Sequence, residues 1–394
     1  MYQHRMYIYK PWVEKYLGGK NPETTEELYN FLKMVKEDDA NGNGIDDEIP
    51  MTGFIGGWAS DPTVWMMNSF TQCVNPLSNT NPTVAGGLVV NNGKIEYAVM
   101  KDEYRDGLRY MHKLFEEGLL DNQTFLQDNT QFSATMDASE GNKVAVYANG
   151  GVENSEFWQQ VDGEWQNWEI LAPVAGPDGV RYSGRCIQTY FEGCLGVVSS
   201  TCKYPEIVVA LFDFMASEDA AHHIGGGPEG IAWKYTDEGV SLSGGTPAYE
   251  QITVPEDFDY VKEGGLPKAY ANYRYTPDAM IQRGSAEYRG GLKIEDPSHS
   301  TEYWFQQCAE LYSQYAPDVD TLVPNLSFEA RIVTEGTLTI GGYVNQALVQ
   351  FIDGSLDIEK DWDAYIEKLK SMGVDEYVAA YQRTYDAYME AQGK

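Results

Sequence analysis

Long apolar runs are missing from the sequence: no window approaches the eighteen consecutive apolar residues that a membrane-spanning helix needs. Basic residues are scarce, because 28 Lys and Arg stand against 60 Asp and Glu and leave a formal net charge of −32. A surface this negative repels nucleic-acid phosphates and anionic lipid. The two shortages exclude a transmembrane helix and argue against nucleic acid as a partner.

Cysteine is scarce too, and its positions are far apart. The five cysteines are Cys73, Cys186, Cys194, Cys202 and Cys308. A structural zinc site needs close pairs such as C-x-x-C, which are absent from the sequence. Free thiols suit this odd number, although a disulfide among the middle three stays open.

What the sequence does contain is an alternation of helix and strand patterns, which predicts the α/β class. Thr24 and Glu27 fit a capping box before an amphipathic helix. Further helices are predicted in "DEYRDGLRYMHKLFEEGLL", in "KYPEIVVALFDFMAS" and in the tail from Trp362, where Gly373 closes one helix. Strands are predicted in "NKVAVYANGG", "WEILAPVAGPDGVRY" and "CLGVVSS".

The segment "DDANGNGIDDEIP", residues 38–50, gathers oxygen-bearing side chains at alternating positions. A Ca²⁺ ion takes six to eight oxygen ligands, and a tight loop turns alternate residues inward to supply them. Pro50 stands where an EF-hand-type loop has its last glutamate, so Glu48 takes that role. The loop predicts a structural Ca²⁺ site with the ligands Asp39, Asn41, Asn43, Ile45 (through its carbonyl), Asp47 and Glu48.

The stretch from "YIYKPW" through this loop resembles the extracellular solute-binding proteins of bacterial ABC importers, which include alginate- and oligosaccharide-binding members. "DGLRYMHKLFEEGLLDNQTF", "CKYPEIVVALFDFMAS" and the final "FIDGSLDIEKDWDAYIEKLKSMGVDEYVAAYQRTYDAY" are similar to the same family. The resemblance implies the same loop ligands, a type II periplasmic-binding-protein-like fold of two lobes with a cleft, and no catalysis. It also implies an ABC permease as partner and a monomeric binding protein.

The resemblance further implies that the chain lacks its amino-terminal part, including a lipoprotein signal and the first strands of one lobe. We therefore expect the complete protein to be extracellular and membrane-anchored. Residues 1–190 and 323–394 are expected to form the second lobe, and 191–322 the surviving part of the first.

A sugar is held by stacking on flat aromatic rings and by polar side chains that bond its hydroxyls. Aromatic residues make up 13% of the chain, and several lie beside glycines or acids on predicted loops. The predicted sugar-binding residues are Trp58, Asp61, Tyr147, Trp158, Tyr190, Glu192, Glu229, Trp233, Tyr273 and Arg274.

Two other functions compete with sugar capture. A glycoside hydrolase needs two carboxylates flanking the scissile bond, and 60 acidic residues always offer some pair, yet no motif isolates one. A calcium-stabilised surface module without a transport role is the other alternative. A metallohydrolase on His222 and His223 is disfavoured, since adjacent helical residues point to different sides.

Overall fold

The structure is a computed structural model, and the chain forms two compact units. Unit 1 comprises Met1–Ile187 and Phe305–Lys394, and unit 2 comprises Gln188–Trp304. The sequence placed the corresponding divisions after residues 190 and 322. The residues that the structure describes are 4–57, 59–73, 87–137, 141–151, 167–184, 197–215, 217, 229–241, 245–252, 291, 293–294, 301–323 and 330–393.

A four-stranded mixed sheet occupies the interior of unit 1, in the order β2-β5-β1-β6. The strands of unit 1 are β1 (Arg5–Tyr9), β2 (Ile49–Thr52), β3 (Leu88–Asn91), β4 (Lys94–Tyr97), β5 (Val144–Asn149) and β6 (Trp168–Leu171). β1 runs antiparallel to both β5 and β6, while β2 is parallel to β5. The carboxyl ends of β2, β5 and β6 therefore meet the amino end of β1 at one edge.

The two middle strands are buried on both faces, and of the two the sequence predicts only β5, in "NKVAVYANGG". All residues of β1 and β5 are buried. Tyr147 of β5 stacks on Tyr7 of β1 with 4.9 Å between ring centroids, and it meets Trp168 edge to face at 4.7 Å. Such aromatic pairs add stability beyond the area that they bury.

Helices pack around the strands of unit 1 and against one another. The helices of unit 1 are α1 (Lys10–Leu17), α2 (Thr25–Glu37), α3 (Pro62–Met67), α4 (Asp102–Glu116), α5 (Asn129–Thr135), the greater part of α7 (Thr301–Ser313), α8 (Ala330–Ile352), α9 (Trp362–Ser371) and α10 (Val374–Ala391). The stripes predicted for α4, α9 and α10 are confirmed at most positions: Tyr104, Leu108, Leu369 and Tyr381 are buried, whereas Tyr388 is 37% exposed. Gly373 has φ +87° after the end of α9, as a residue that closes a helix requires.

The predicted capping box at α2 is confirmed in one half only. The Thr24 hydroxyl accepts a hydrogen bond from the Glu27 amide at 3.1 Å. The Glu27 carboxylate, however, accepts from the amide of Glu23 at 2.7 Å, one residue before the cap. The first bond satisfies an amide that the helix start leaves unpaired, and the second satisfies the amide of the residue before the cap.

One buried hydroxyl connects three elements of unit 1. The Tyr312 hydroxyl on α7 donates to the Leu171 carbonyl at 2.9 Å and accepts from the Met6 amide at 3.2 Å and the Trp65 indole N–H at 2.9 Å. The Ser183 hydroxyl donates to the backbone carbonyl of Tyr312 at 2.9 Å. The hydroxyl of Tyr312 thereby joins β1, β6 and α3 to α7.

In unit 2 the described elements are short except for one helix. They are α6 (Pro205–Met215), β7 (Trp233–Tyr235), β8 (Val240–Ser241), β9 (Tyr249–Gln251) and β10 (Lys293–Ile294), with the first residues of α7. The strand predicted in "CLGVVSS" is wrong for residues 197–200, which form no strand. Val197 is 81% exposed there, so no partner strand or core contact fixes an extended conformation. Its first residues lie outside the described part.

The predicted helix α6 forms, but its apolar side faces solvent. Ile207 is 62% exposed, and Leu211 and Phe214 are each 51% exposed. Contiguous exposed apolar surface of this kind is uncommon in a monomer. Nowhere in the described part is a helix long and apolar enough to cross a membrane.

We expect this exposed face to bind the dye 1-anilinonaphthalene-8-sulfonate, because the dye fluoresces on accessible apolar surface. Changing Ile207, Leu211 and Phe214 together to Ser is expected to remove a large share of the fluorescence in a dye titration. A variant with Glu206→Ser and Asp213→Ser on the same helix serves as the control and keeps the signal. Equal fluorescence from both variants would contradict an exposed apolar face.

Candidate functional site

The oxygen-rich loop lies between α2 and β2, and its first three side chains fold inward onto the loop backbone. The Asp39 carboxylate accepts from the Asn43 amide through Oδ1 at 3.0 Å and from the Gly44 amide through Oδ2 at 2.8 Å. Asn41 Oδ1 accepts from the Asn43 amide at 3.0 Å, and Asn43 Oδ1 accepts from the Ile45 amide at 2.7 Å. Three oxygen side chains at alternating positions therefore converge on one turn.

Glycine is required at two positions of this turn. Gly42 and Gly44 both have φ of +77°, in the left-handed region that other residues rarely adopt. Ile45 keeps its side chain 61% exposed, and its carbonyl accepts from the Asp47 amide at 3.0 Å.

Asp47, the predicted ligand at the ninth position, is surrounded by donors. Its Oδ1 accepts from the side-chain amides of Asn41 at 3.2 Å and Asn43 at 3.1 Å. Its Oδ2 lies 2.9 Å from the ammonium of Lys143. The Lys143 charge beside this carboxylate, followed by the amide hydrogen bonds, holds the pKa of Asp47 below its ordinary value.

Glu48 supplies the feature that best fits a cation. Its Oε1 accepts from the Asn41 amide at 3.1 Å, while Oε2 is buried and has no hydrogen-bond partner among the described residues. A buried carboxylate oxygen without a donor is costly unless something else coordinates it. A cation held by this loop would satisfy it.

The described residues contain no cluster of three or more His, Cys, Asp or Glu side chains close enough to hold a metal ion. The carboxylate of Asp47 is turned toward Lys143 and the two asparagine amides. A Ca²⁺ site here would also draw on asparagine and carbonyl oxygens, which are ordinary ligands of this hard cation. The donor set fits Ca²⁺, with Asp47 reoriented.

A second candidate region is the edge where the carboxyl ends of β2, β5 and β6 meet the start of β1. In open α/β sheets ligands bind outside the carboxyl ends of strands. Arg5, paired in register with Asn149, is 3% exposed, and His4 is 5% exposed. The Arg5 guanidinium lies over the ring of Phe305, 4.3 Å from its centroid.

The His4 imidazole is the most perturbed base at this edge. Burial and then the neighbouring Arg5 charge lower the pKa of His4 to about 4, so the ring is neutral at pH 7. Its Nδ1 has no hydrogen-bond partner among the described residues. Sequence reasoning missed His4 and Arg5, because "HRMYIYK" shows neither a motif nor a period that singles them out.

Asp61 is buried within unit 1. Its Oδ1 accepts from the Thr63 amide at 2.9 Å and the Thr63 hydroxyl at 2.7 Å, which caps α3. Burial raises the pKa of the Asp61 carboxyl to about 6. Burial and then the charge of Asp61 raise the pKa of the Cys73 thiol. The Asp61 carboxylate therefore affects a buried group inside unit 1.

The other predicted sugar-binding residues are distributed as follows. Tyr147 has no exposed surface and is a core residue of the sheet. Trp233 is 1% exposed, so the turn does not present it as expected; its ring packs against Tyr235 with centroids 5.1 Å apart. Glu229 is exposed. The remaining six lie outside the described residues: Trp58, Trp158, Tyr190, Glu192, Tyr273 and Arg274.

A surface cavity of about 460 Å³ lies elsewhere in unit 1, between β4 and α10. Its lining includes the paired side chains of Glu96 and Lys101, whose charged atoms are 2.5 Å apart, and the apolar Ile95 and Val378. It contains none of the predicted sugar-binding residues. The cavity is therefore separate from both candidate regions.

Comparison with solved structures identifies the fold. The chain matches the "extracellular solute-binding protein from Bifidobacterium longum subsp. infantis" with a TM-score of 0.71 and 21% identity, over 98% of this chain and 74% of that one. It matches the "ABC-transporter substrate binding protein FusA EF-hand mutant" of S. pneumoniae with a TM-score of 0.66 and 20% identity, over 99% and 73%. The fold is that of ABC-transporter solute-binding proteins.

The sequence relatives agree with this fold. The chain is 25% identical over 385 residues to the fructooligosaccharide ABC transporter substrate-binding protein FusA of Streptococcus pneumoniae, covering 97% of the chain. It is 22% identical over 386 residues to the lipoprotein LipO of Bacillus subtilis. The chain spans 65% of the length of FusA and 68% of LipO. No family model matches the chain.

Proposed function

We propose that the chain belongs to a carbohydrate-binding component of an ABC importer, which captures an oligosaccharide without transforming it. The observation that carries the proposal is the similarity to FusA, named for fructooligosaccharide, over 97% of this chain. The agreement of fold with a second oligosaccharide-complexed structure, FusA with kestose, supports it at a TM-score of 0.67. In the proposed mechanism the bound sugar favours one arrangement of the two units, which the permease recognises.

The chemistry of unit 1 supports a neutral sugar as ligand. The net charge of −32 disfavours an anionic glycan at long range. At the carboxyl-end edge of the sheet lie the hydrogen-bonding groups of Arg5, Asn149 and the neutral ring of His4, although these side chains are nearly as buried as those of Tyr147 and Trp233. We place the contribution of unit 1 to the sugar site at this edge. Glu229 and the six predicted residues outside the described part remain proposals.

We further propose that the loop between α2 and β2 binds Ca²⁺ in a structural role. The ligands would be Asp39, Asn41, Asn43, the Ile45 carbonyl, Asp47 and Glu48, in keeping with the unpartnered Oε2 of Glu48. One of the solved FusA structures is that of an EF-hand mutant, which supports such a loop in that relative. A cation here would fix the end of α2 against the start of β2.

The cellular setting is proposed by analogy with the relatives. We propose that the complete protein is extracellular and anchored by lipid, since the relative LipO is a lipoprotein. Its partner would be the membrane subunits of an ABC permease, and it would act as a monomer.

A melting-temperature screen with neutral oligosaccharides tests the proposed function. A ligand at 100 times its dissociation constant stabilises a protein by about 2.7 kcal/mol, and we expect at least one oligosaccharide to raise the melting temperature by several degrees. Incubation of that sugar with the protein should yield no new reducing ends. Absence of any shift across fructo-, malto- and xylo-oligosaccharides at millimolar concentration would contradict sugar capture, and new reducing ends would favour a hydrolase.

A further inference from the structure

The side chain of Lys143, from a distant part of the chain, lies beside the loop between α2 and β2. The sequence does not predict this contact. Lys143 lies just before β5, and its ammonium is 2.9 Å from Oδ2 of Asp47. The backbone carbonyl of Lys143 accepts from the Ile49 amide at 2.7 Å, immediately after the loop. Pairing of β2 with β5 therefore fixes the Lys143 backbone beside the loop.

Both oxygens of the Asp47 carboxylate already have partners, and the Lys143 ammonium is the partner of Oδ2. Oδ1 of Asp47 accepts from the side-chain amides of Asn41 and Asn43. A divalent cation at the loop needs the Asp47 carboxylate and the amide oxygens, whereas the structure directs amide N–H groups and an ammonium at that carboxylate. A cation can bind only if these donors withdraw.

We propose that the Lys143 ammonium competes with Ca²⁺ for the Asp47 carboxylate and thereby weakens Ca²⁺ binding. The proposal rests on the Ca²⁺ site proposed above and adds a residue that sets its affinity. The Lys143 ammonium and the Asp47 carboxylate, 2.9 Å apart and partly exposed, attract each other. A cation must overcome that attraction before it reaches Asp47.

Lys15 offers a matched control on the same loop. Its ammonium lies 2.8 Å from Oδ2 of Asp38, one residue before the first predicted ligand, and 3.4 Å from the Asp39 carbonyl oxygen. Lys15 is 41% exposed and Lys143 33% exposed at the side chain, so both removals leave the core intact. Both remove one positive charge near the loop, but only Lys143 contacts a predicted ligand side chain.

Calorimetric titration of Ca²⁺ into chelator-treated protein tests the proposal. We expect Lys143→Met to lower the dissociation constant about tenfold relative to the unaltered chain, and Lys15→Met to change it about twofold or less. Lys143→Gln should agree with Lys143→Met. The rise in melting temperature on adding a fixed Ca²⁺ concentration should be larger in both Lys143 variants, because tighter binding stabilises the folded state more.

Two outcomes would overturn the proposal in different ways. If the unaltered chain binds Ca²⁺ but Lys143→Met binds it with the same or lower affinity, or no better than Lys15→Met, Lys143 is not a competitor. If neither the unaltered chain nor any variant binds Ca²⁺ at millimolar concentration, the Ca²⁺ site itself is absent. The proposal about Lys143 is then wrong as well. Far-UV circular dichroism of each variant, matched to the unaltered chain, excludes misfolding as the cause.

Discussion

Replacing Tyr312 by Phe is expected to lower the free energy of unfolding of unit 1 by about 3 kcal/mol, although it removes a single oxygen atom. The hydroxyl of Tyr312 bonds the Leu171 carbonyl, the Met6 amide and the Trp65 indole N–H, all in the interior. Phe keeps the ring packing but leaves two donors and one acceptor without that partner. Buried polar groups without partners cost about 1–3 kcal/mol each, and partial relaxation reduces the sum.

Tyr104 provides the matched control for this prediction. It is 1% exposed, and its hydroxyl has no hydrogen-bond partner among the described residues. Tyr104→Phe should therefore leave stability unchanged or raise it by up to about 1 kcal/mol. Urea denaturation followed by far-UV circular dichroism measures both variants. Equal shifts of the unfolding midpoint in the two variants would show that the Tyr312 hydroxyl does not join these elements.

Replacing Asp61 by Asn is expected to remove a pH dependence of stability worth about 3 kcal/mol. Burial raises the folded-state pKa of Asp61 from 3.8 to about 6. The folded state then binds the proton more tightly than the unfolded state, so this stabilising contribution is complete below pH 3.8 and is lost as the pH rises to about 6. At pH 7 the buried carboxylate is ionised and destabilises unit 1.

The measurement compares variants across pH, since other groups also titrate. The free energy of unfolding of Asp61→Asn, minus that of the unaltered chain, should rise by about 3 kcal/mol between pH 3.5 and pH 7. The same rise is expected for Asp61→Ser, which keeps an oxygen to cap α3, even if the two variants differ in absolute stability. A difference that stays constant over this range would place the Asp61 carboxyl in contact with solvent.

Local patterns account for what the sequence predicted well. The helices α4, α9 and α10 and the oxygen-donor spacing of the loop between α2 and β2 are predicted from residues a few positions apart, and the structure has them on one face or one turn. Helix α6 shows what such local patterns cannot predict. Periodicity identified Ile207, Leu211 and Phe214 as one face, but it does not report whether another segment covers that face.

Contacts between distant parts of the chain could not be predicted from the sequence. Tyr312 bonds Met6 across 306 positions, and Lys143 reaches Asp47 only because β2 pairs with β5. The sugar-site residues share this difficulty, since aromatic residues near glycines also fill cores. Tyr147 and Trp233 are such cases, with nearly all their surface buried. Arg5 meets Asn149 only through strand register.

The most direct test of the account is a calorimetric titration of a neutral oligosaccharide, taken from the melting screen, into the 394-residue chain. Sugar capture predicts saturable binding of one oligosaccharide per chain with a dissociation constant in the micromolar range or below. Heats that stay at the level of dilution for every neutral oligosaccharide at millimolar concentration would contradict it.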